Sequence, residues 1–243
     1  MGPRLEFYGL PLDSVLTKWI LSFLLNREGS IQTWVDLGSG NGEVLRRIGT
    51  PPLKGLTVDI YEPLLPVRGF SFFSGTIGEF FENPNFVNYV NLSSMFDVIE
   101  HFEKEAALRL LSMLEARFST QIISTPCGFL KQDGETSPEL ADKPFMWHRC
   151  GFIAEEFEHR GYMVFVLKRY HQKPSGHTQN FDAMLAFKNR SFSERDYDTL
   201  AQDVQMRYKR WLLHPRNGLK SLRVRLGIPF RQSRHPTAGA FHQ

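Results

Sequence analysis

Three groups of residues in this 243-residue chain have the types and spacing to do chemistry. Val35-Asp36-Leu37-Gly38-Ser39-Gly40-Asn41-Gly42 places three glycines at alternate positions directly after an apolar run. Glycine lets the backbone turn sharply and lets a ligand lie against it. About 20 residues further on, Asp59 follows Val58, the spacing at which a carboxylate accepts the hydroxyls of a ribose. Two histidines complete the inventory, His101 within Phe96-Asp97-Val98-Ile99-Glu100-His101-Phe102 and His148 within Phe145-Met146-Trp147-His148-Arg149-Cys150. Imidazole is the side chain suited to taking a proton near neutral pH. Together these residues describe a nucleoside site beside a candidate base. Each histidine also has a plain structural reading: Glu100 and His101 as caps of the following helix, and His148 as part of a surface loop anchored by Trp147.

Such residues need elements to hold them. Asp13 to Arg27 reads as an amphipathic helix with Leu16, Ile20, Phe23 and Leu24 on one side. Ile31 to Leu37 is a first strand, the glycines are its turn, and Glu43 to Ile48 is a helix stopped by Pro51-Pro52. Leu56 to Ile60 and Gly69 to Phe73 follow as strands, and Val87 to Ile99 contains a fourth. Glu103 to Phe118 has helical spacing, and Gln121 to Ser124 is a fifth strand. The alternation predicts a parallel sheet covered by helices on both faces. After a polar loop from Lys131 to Lys143, a helix over Ile153 to Arg160 leads into strands Tyr162 to Tyr170 and Asn180 to Lys188. The short connection through Pro174-Ser175-Gly176 makes that pair an antiparallel hairpin.

Composition bounds the rest. Apolar residues make up 42% and aromatic residues 13%, enough for a sizeable core, and the longest apolar run is too short to span a bilayer. Cys127 and Cys150 fit neither a disulfide framework nor a zinc spacing, and no secretory signal is read at the N-terminus, so the expected location is cytoplasmic. The net charge of +3 hides an asymmetry: residues 201 to 243 hold nine Lys or Arg against Asp203 alone. Any attraction to an anionic surface therefore belongs to this tail. We divide the chain into a catalytic domain at 1–190 and a basic C-terminal extension at 191–243. The extension is read as docked on its own domain or on a second subunit, as a foot on a membrane surface, or, last in order, as a contact for nucleic acid.

Through Asp36 to Gly42, Val58-Asp59-Ile60 and Phe96 to Phe102, the sequence resembles the class I S-adenosylmethionine-dependent methyltransferases. The likeness is strongest to small-molecule members with an Asp-Val-Ile-Glu-His segment, a Ser-Thr-Pro-x-Gly-Phe segment like Ser124 to Phe129, and a His followed by a segment like Phe157 to Tyr162. The resemblance implies an α/β three-layer sandwich, a Rossmann-like fold whose seven-stranded, mostly parallel sheet ends in an antiparallel hairpin. It implies S-adenosyl-L-methionine as cofactor, no metal, and in-line methyl transfer to a small or lipid-linked acceptor, with His101 and His148 as candidate catalytic residues. Gly38, Ser39, Gly40 and Gly42 would line the methionine moiety, Asp36 would help hold its ammonium, Asp59 would bind the ribose and Ile60 would lie against the adenine. Met95 and Phe96 would approach the methionine part from the fourth strand. Thr76 stands near where many members place an Asp for the adenine amine, so its hydroxyl or the backbone of Ile77 would substitute. Two rivals stand beside this reading: a non-catalytic binding or scaffold protein of the same fold, and a nicotinamide-dependent oxidoreductase, which would want glycine at Glu43.

Overall fold

The computed structural model describes residues 4–28, 31–49, 53–63, 65–171 and 179–226. Strand β1 (Leu5–Tyr8) leads through a π-helical turn at Leu12–Leu16 into α1 (Thr17–Glu28). There follow β2 (Thr33–Leu37), α2 (Glu43–Ile48), β3 (Lys54–Asp59), β4 (Phe70–Ser74), α3 (Ile77–Glu82), β5 (Leu92–Phe96), α4 (Lys104–Arg117) and β6 (Thr120–Pro126). After a long excursion come α5 (Ala154–His159), β7 (Met163–His171), β8 (Phe181–Asn189), α6 (Glu194–Leu213) and α7 (Pro215–Leu226). The segments Pro51-Pro52, Pro174-Ser175-Gly176 and 227–243 lie outside the described residues.

The eight strands of the described residues join one sheet in the order β1-β7-β8-β6-β5-β2-β3-β4. Strand β8 runs antiparallel to both its neighbours, β6 and β7, and every other pairing is parallel. This is a Rossmann-like sheet order that ends in the expected antiparallel hairpin. The seven expected strands are present, and β1 adds an eighth at the edge, in register with β7 from Leu5 opposite Phe165 to Tyr8 opposite Lys168.

The sheet is buried on both faces, so its strands read as apolar runs and alternate side chains enter opposite cores. On one side Met163, Phe165 and Leu167 pack with Ile20 and Leu24 of α1 and with Leu200 and Val204 of α6. On the other Val164 and Val166 pack with Leu110, Leu111 and Leu114 of α4 and Phe157 of α5. The aromatic cluster around Phe80 joins this second core, Phe80 stacking on Phe86 and Phe118 under the guanidinium of Arg117.

The basic tail forms two helices, one of them 20 residues long. Helix α6 opens on a capping box at Ser193 and Asp196 and buries Leu200, Ala201, Val204 and Tyr208. The Tyr208 hydroxyl donates to the Tyr8 carbonyl at 3.0 Å and accepts the Tyr8 N–H at 3.1 Å. Helix α7 is held at its far end by Arg169, which donates to the carbonyls of Val224 and Arg225.

Candidate functional site

The ends of β2 and β3 are tied together by the glycine turn. The N–H groups of Gly38 and Ser39 both donate to the Val58 carbonyl, at 2.8 and 3.1 Å. Gly38, Gly40 and Gly42 all have positive φ, between 53° and 73°. A Cβ on Gly38 would sit 2.6 Å from a methyl of Val98, whereas one on Gly40 would meet nothing within 4 Å. The turn is therefore packed underneath and open at its crest. Asp59 closes it: Oδ2 accepts the Gly40 N–H at 2.7 Å and Oδ1 the Tyr61 N–H at 2.9 Å. Each oxygen keeps a lone pair, because a carboxylate has about four acceptor sites.

Beneath the turn Asp36 is buried and accepts a hydrogen bond from Ser94, whose oxygen in turn receives the indole N–H of Trp34 at 2.7 Å. Burial pushes the Asp36 carboxyl up to about 7; Ser94 opposes this and the Asp59 charge adds to it. Ile60 is partly exposed just past the turn, while Met95 and Phe96 are buried in β5. Thr76 has another task. Its hydroxyl donates to Glu79 at 2.9 Å and accepts the Glu79 N–H at 3.1 Å, so it caps α3.

The second half of the site follows β5, the strand beside β2. Asp97 turns the chain with φ of 53°, a left-handed conformation that Asp tolerates better than most residues. The next turn brings in Glu100, whose side chain is wholly buried. One oxygen accepts from Thr125 at 3.0 Å; the other, Oε1, has no hydrogen-bond partner among the described residues. Burial, reinforced by Asp97, holds this carboxyl well above the usual range. Oε1 faces the Nε2 of His148 at 4.0 Å. The other nitrogen of His148 lies 2.7 Å from the Leu130 carbonyl, which fixes it as the N–H and leaves Nε2 a lone pair. Burial lowers this imidazole to about 4, so the ring is neutral at neutral pH.

His101 stacks obliquely on His148 at 5.1 Å between ring centres. Its nitrogens face two backbone carbonyls, those of Trp147 at 3.2 Å and Asp97 at 3.1 Å. Burial lowers its pKa as well, and a neutral ring has one N–H, so one nitrogen donates to its carbonyl while the other faces a carbonyl with a lone pair. Glu100, His101 and His148 each offer one ligand atom, all within 4.8 Å of one another. Helix α4 begins after Glu103, and the side-chain bonds of Glu100 and His101 lead elsewhere, so the capping interpretation of this pair is replaced. The loop carrying His148 is pinned by the Gly128 N–H on the Phe152 carbonyl and by the Trp147 indole on the Leu140 carbonyl. Cys127 sits nearby with its thiol pKa raised by burial, which disfavours a nucleophilic thiolate.

No protein-family model and no curated protein sequence matches the chain. Among solved structures it is similar to LepI in complex with SAM, at 15% identity and TM-score 0.44, with 70% of this chain and 46% of that one covered. A small RNA methyltransferase shows 20% identity and TM-score 0.43, covering 77% of this chain and 27% of that one. A SAM dependent methyltransferase from Archaeoglobus fulgidus shows 15% identity and TM-score 0.43, covering 71% and 93%. The chain thus spans less than half the length of the first two. These likenesses concern the fold. The functional reading rests on the site itself.

The structure brings together Gly38, Ser39, Gly40, Gly42 and Asp59, with Asp36 below, and separately His101 with His148. Thr76 is occupied in its cap. Sequence reading missed Glu100 as a partner of the two histidines, and also His171. At the end of β7, His171 has a buried Nε2 with no partner among the described residues, and it interacts electrostatically with Asp97 and His148. A Glu beside a His signals nothing by itself; the sign available was an acidic residue and a His at the mouth of a predicted strand.

Proposed function

We propose that the chain is an S-adenosylmethionine-dependent methyltransferase that methylates a hydroxyl on a small or lipid-linked acceptor. The observation that carries this reading is placement. The open-crested glycine turn with Asp59 and the Glu100, His101 and His148 cluster lie at the carboxyl ends of the adjacent strands β2, β3 and β5. In an α/β sheet that is the edge where ligands bind. S-adenosylmethionine supplies an electrophilic methyl on a sulfonium, whose displacement needs nucleophile, carbon and sulfur in line. The chain's own part is to hold and orient. The free lone pairs of Asp59 accept ribose hydroxyls, the turn gives backbone against which a methionine chain lies, and Asp36 below it answers an ammonium group.

Two neutral imidazoles and one buried carboxylate are also a donor set for a divalent metal of the manganese, iron or zinc type. The orphaned Oε1 of Glu100 supports this fit, as do the bonds from Thr125 and to Leu130 that fix the ligand orientations. A cation held there would lower the pKa of an acceptor hydroxyl. Without one, His101 or His148 is placed to take the proton. This revises the expectation of no metal. Phe129, Phe145 and Met146 are exposed on the loop that carries His148, an apolar wall suited to a largely apolar acceptor.

A thermal-shift titration of the full chain with S-adenosylhomocysteine beside NADH tests the cofactor, since a ligand that binds only the folded state raises Tm. A shift with the first alone is expected. A shift with NADH alone overturns the reading in favour of the oxidoreductase. Binding without methyl transfer to any hydroxyl acceptor, with and without Mn2+, would leave the scaffold protein.

A further inference from the structure

We infer that the outward faces of α6 and α7 form a docking surface for an anionic lipid bilayer. On α6, Met206, Lys209, Arg210 and Leu213 recur at helical spacing on the side opposite the buried Leu200, Val204 and Tyr208. On α7, Arg216, Leu219, Leu222 and Arg223 do the same, opposite the buried Ser221 and Val224. The apolar members are open to solvent: Leu213 is 81% exposed, Leu219 60%, Leu222 51% and Met206 46%. Scattered exposed leucines need no explanation, but four large apolar side chains interleaved with cations on one helical pair are an amphipathic interfacial pattern.

Charge selects the partner. From Val204 to Leu226 the chain has seven Lys or Arg and no acidic residue, and the 17 residues that follow add Arg231 and Arg234, again without an acid. Another part of this chain would have to bring its own negative charge to cover such a face, whereas a bilayer of anionic lipids supplies charge and an apolar boundary together. Nucleic acid would use the cations and leave the leucines wet; of the described aromatic residues of these helices, Tyr208 and Trp211 are stacked on each other and Tyr197 packs against Phe187 and Phe192. The surface is also preformed. Tyr208 is bonded to Tyr8, Asn217 donates to the Trp211 carbonyl, and Arg169 ties the far end of α7. Binding therefore costs little ordering of the chain. No helix of the described residues is long and apolar enough to cross a membrane, so the contact is peripheral. The inference is independent of the acceptor's identity.

The test is flotation of the full chain with phosphatidylglycerol-containing vesicles and with phosphatidylcholine vesicles, at low and high salt. Flotation with the anionic vesicles alone, weakened by salt, is expected. A variant combining Lys209→Gln, Arg210→Gln, Arg216→Gln and Arg223→Gln should lose about six hundredfold in partition, at roughly fivefold per cation. A second, Leu213→Ser with Leu219→Ser and Leu222→Ser, should also lose flotation. Both replace exposed side chains, and an unchanged Tm shift with S-adenosylhomocysteine shows that they are folded. No flotation by the parent chain, or full flotation by the leucine variant, overturns the inference. So does retention of a duplex or single-stranded RNA by the parent and the leucine variant alike, without vesicle binding, which would assign the face to nucleic acid.

Discussion

Glu100 and His148 present an unpartnered carboxylate oxygen and an imidazole lone pair to each other at 4.0 Å, too far for a hydrogen bond between them. Together with His101, these two residues would hold a divalent cation. Glu100→Gln keeps the shape and the bond to Thr125 while removing the charge. Its Tm without metal should stay within the equivalent of about 1 kcal/mol of the parent, while the Tm rise caused by Mn2+ disappears and turnover falls by about a hundredfold or more. Chelation should silence the parent enzyme, and added Mn2+ should restore it. A chelated enzyme that keeps its rate would leave the proton transfer to His101 or His148 alone.

Asp59 spends one lone pair on the Gly40 N–H of the glycine turn and one on the Tyr61 N–H, and keeps one on each oxygen for a ligand. In Asp59→Ala, affinity for S-adenosylhomocysteine, measured by calorimetry, should fall by about thirtyfold or more, as expected when hydrogen bonds to a charged group are lost. Unchanged affinity in the folded variant would remove the ribose assignment.

Asp36 titrates at about 7 in the fold against 3.8 as its ordinary value. Between these the folded protein keeps a proton that the unfolded chain has lost, so this residue's contribution to stability declines as pH rises from 4 toward 7. Asp36→Asn, which cannot ionise, should therefore melt several degrees above the parent on the alkaline side of this window and show a flatter profile. In the parent, affinity for S-adenosylhomocysteine should rise over the same window, as the ionised carboxyl becomes available to the ligand ammonium. The Asn variant should not show that rise.

Gly38→Ala places a methyl group 2.6 Å from Val98 in a left-handed backbone. The combination of strain and overlap should cost about 2 kcal/mol or more, read as a lower urea midpoint at unchanged slope. Gly40→Ala meets open space and keeps only the backbone penalty, about 1 kcal/mol, yet it should weaken S-adenosylhomocysteine binding, because its methyl fills the crest.

What was legible in the sequence is local in origin. The glycine turn, Asp59 and the β7–β8 hairpin each follow from spacing over a few tens of residues, and all are found where expected. Glu100 escaped because its meaning depends on Thr125 and His148, which arrive from other strands and loops. Thr76 illustrates the opposite case: Thr76 and Glu79 fit a capping box, a local signal passed over in favour of a ligand role. Strand β1 offers only Leu5 and Phe7 as alternating apolar residues, too short a run to stand out. The tail's composition pointed to two short segments because Pro215 was visible, while the long amphipathic stretch of α6 before it rests on packing against α1 and β1.

Strand β1 has its own consequence for how the molecule is made. Among the described residues its partner in the sheet is β7, so Leu5–Tyr8 cannot pair until Met163–His171 has left the ribosome, and Tyr8 meets Tyr208 later still. The interior strands can assemble in order of synthesis while this edge waits. Closing so distant a contact is slow, which makes the pairing of β1 with β7 and its bonding to Tyr208 a late event in folding.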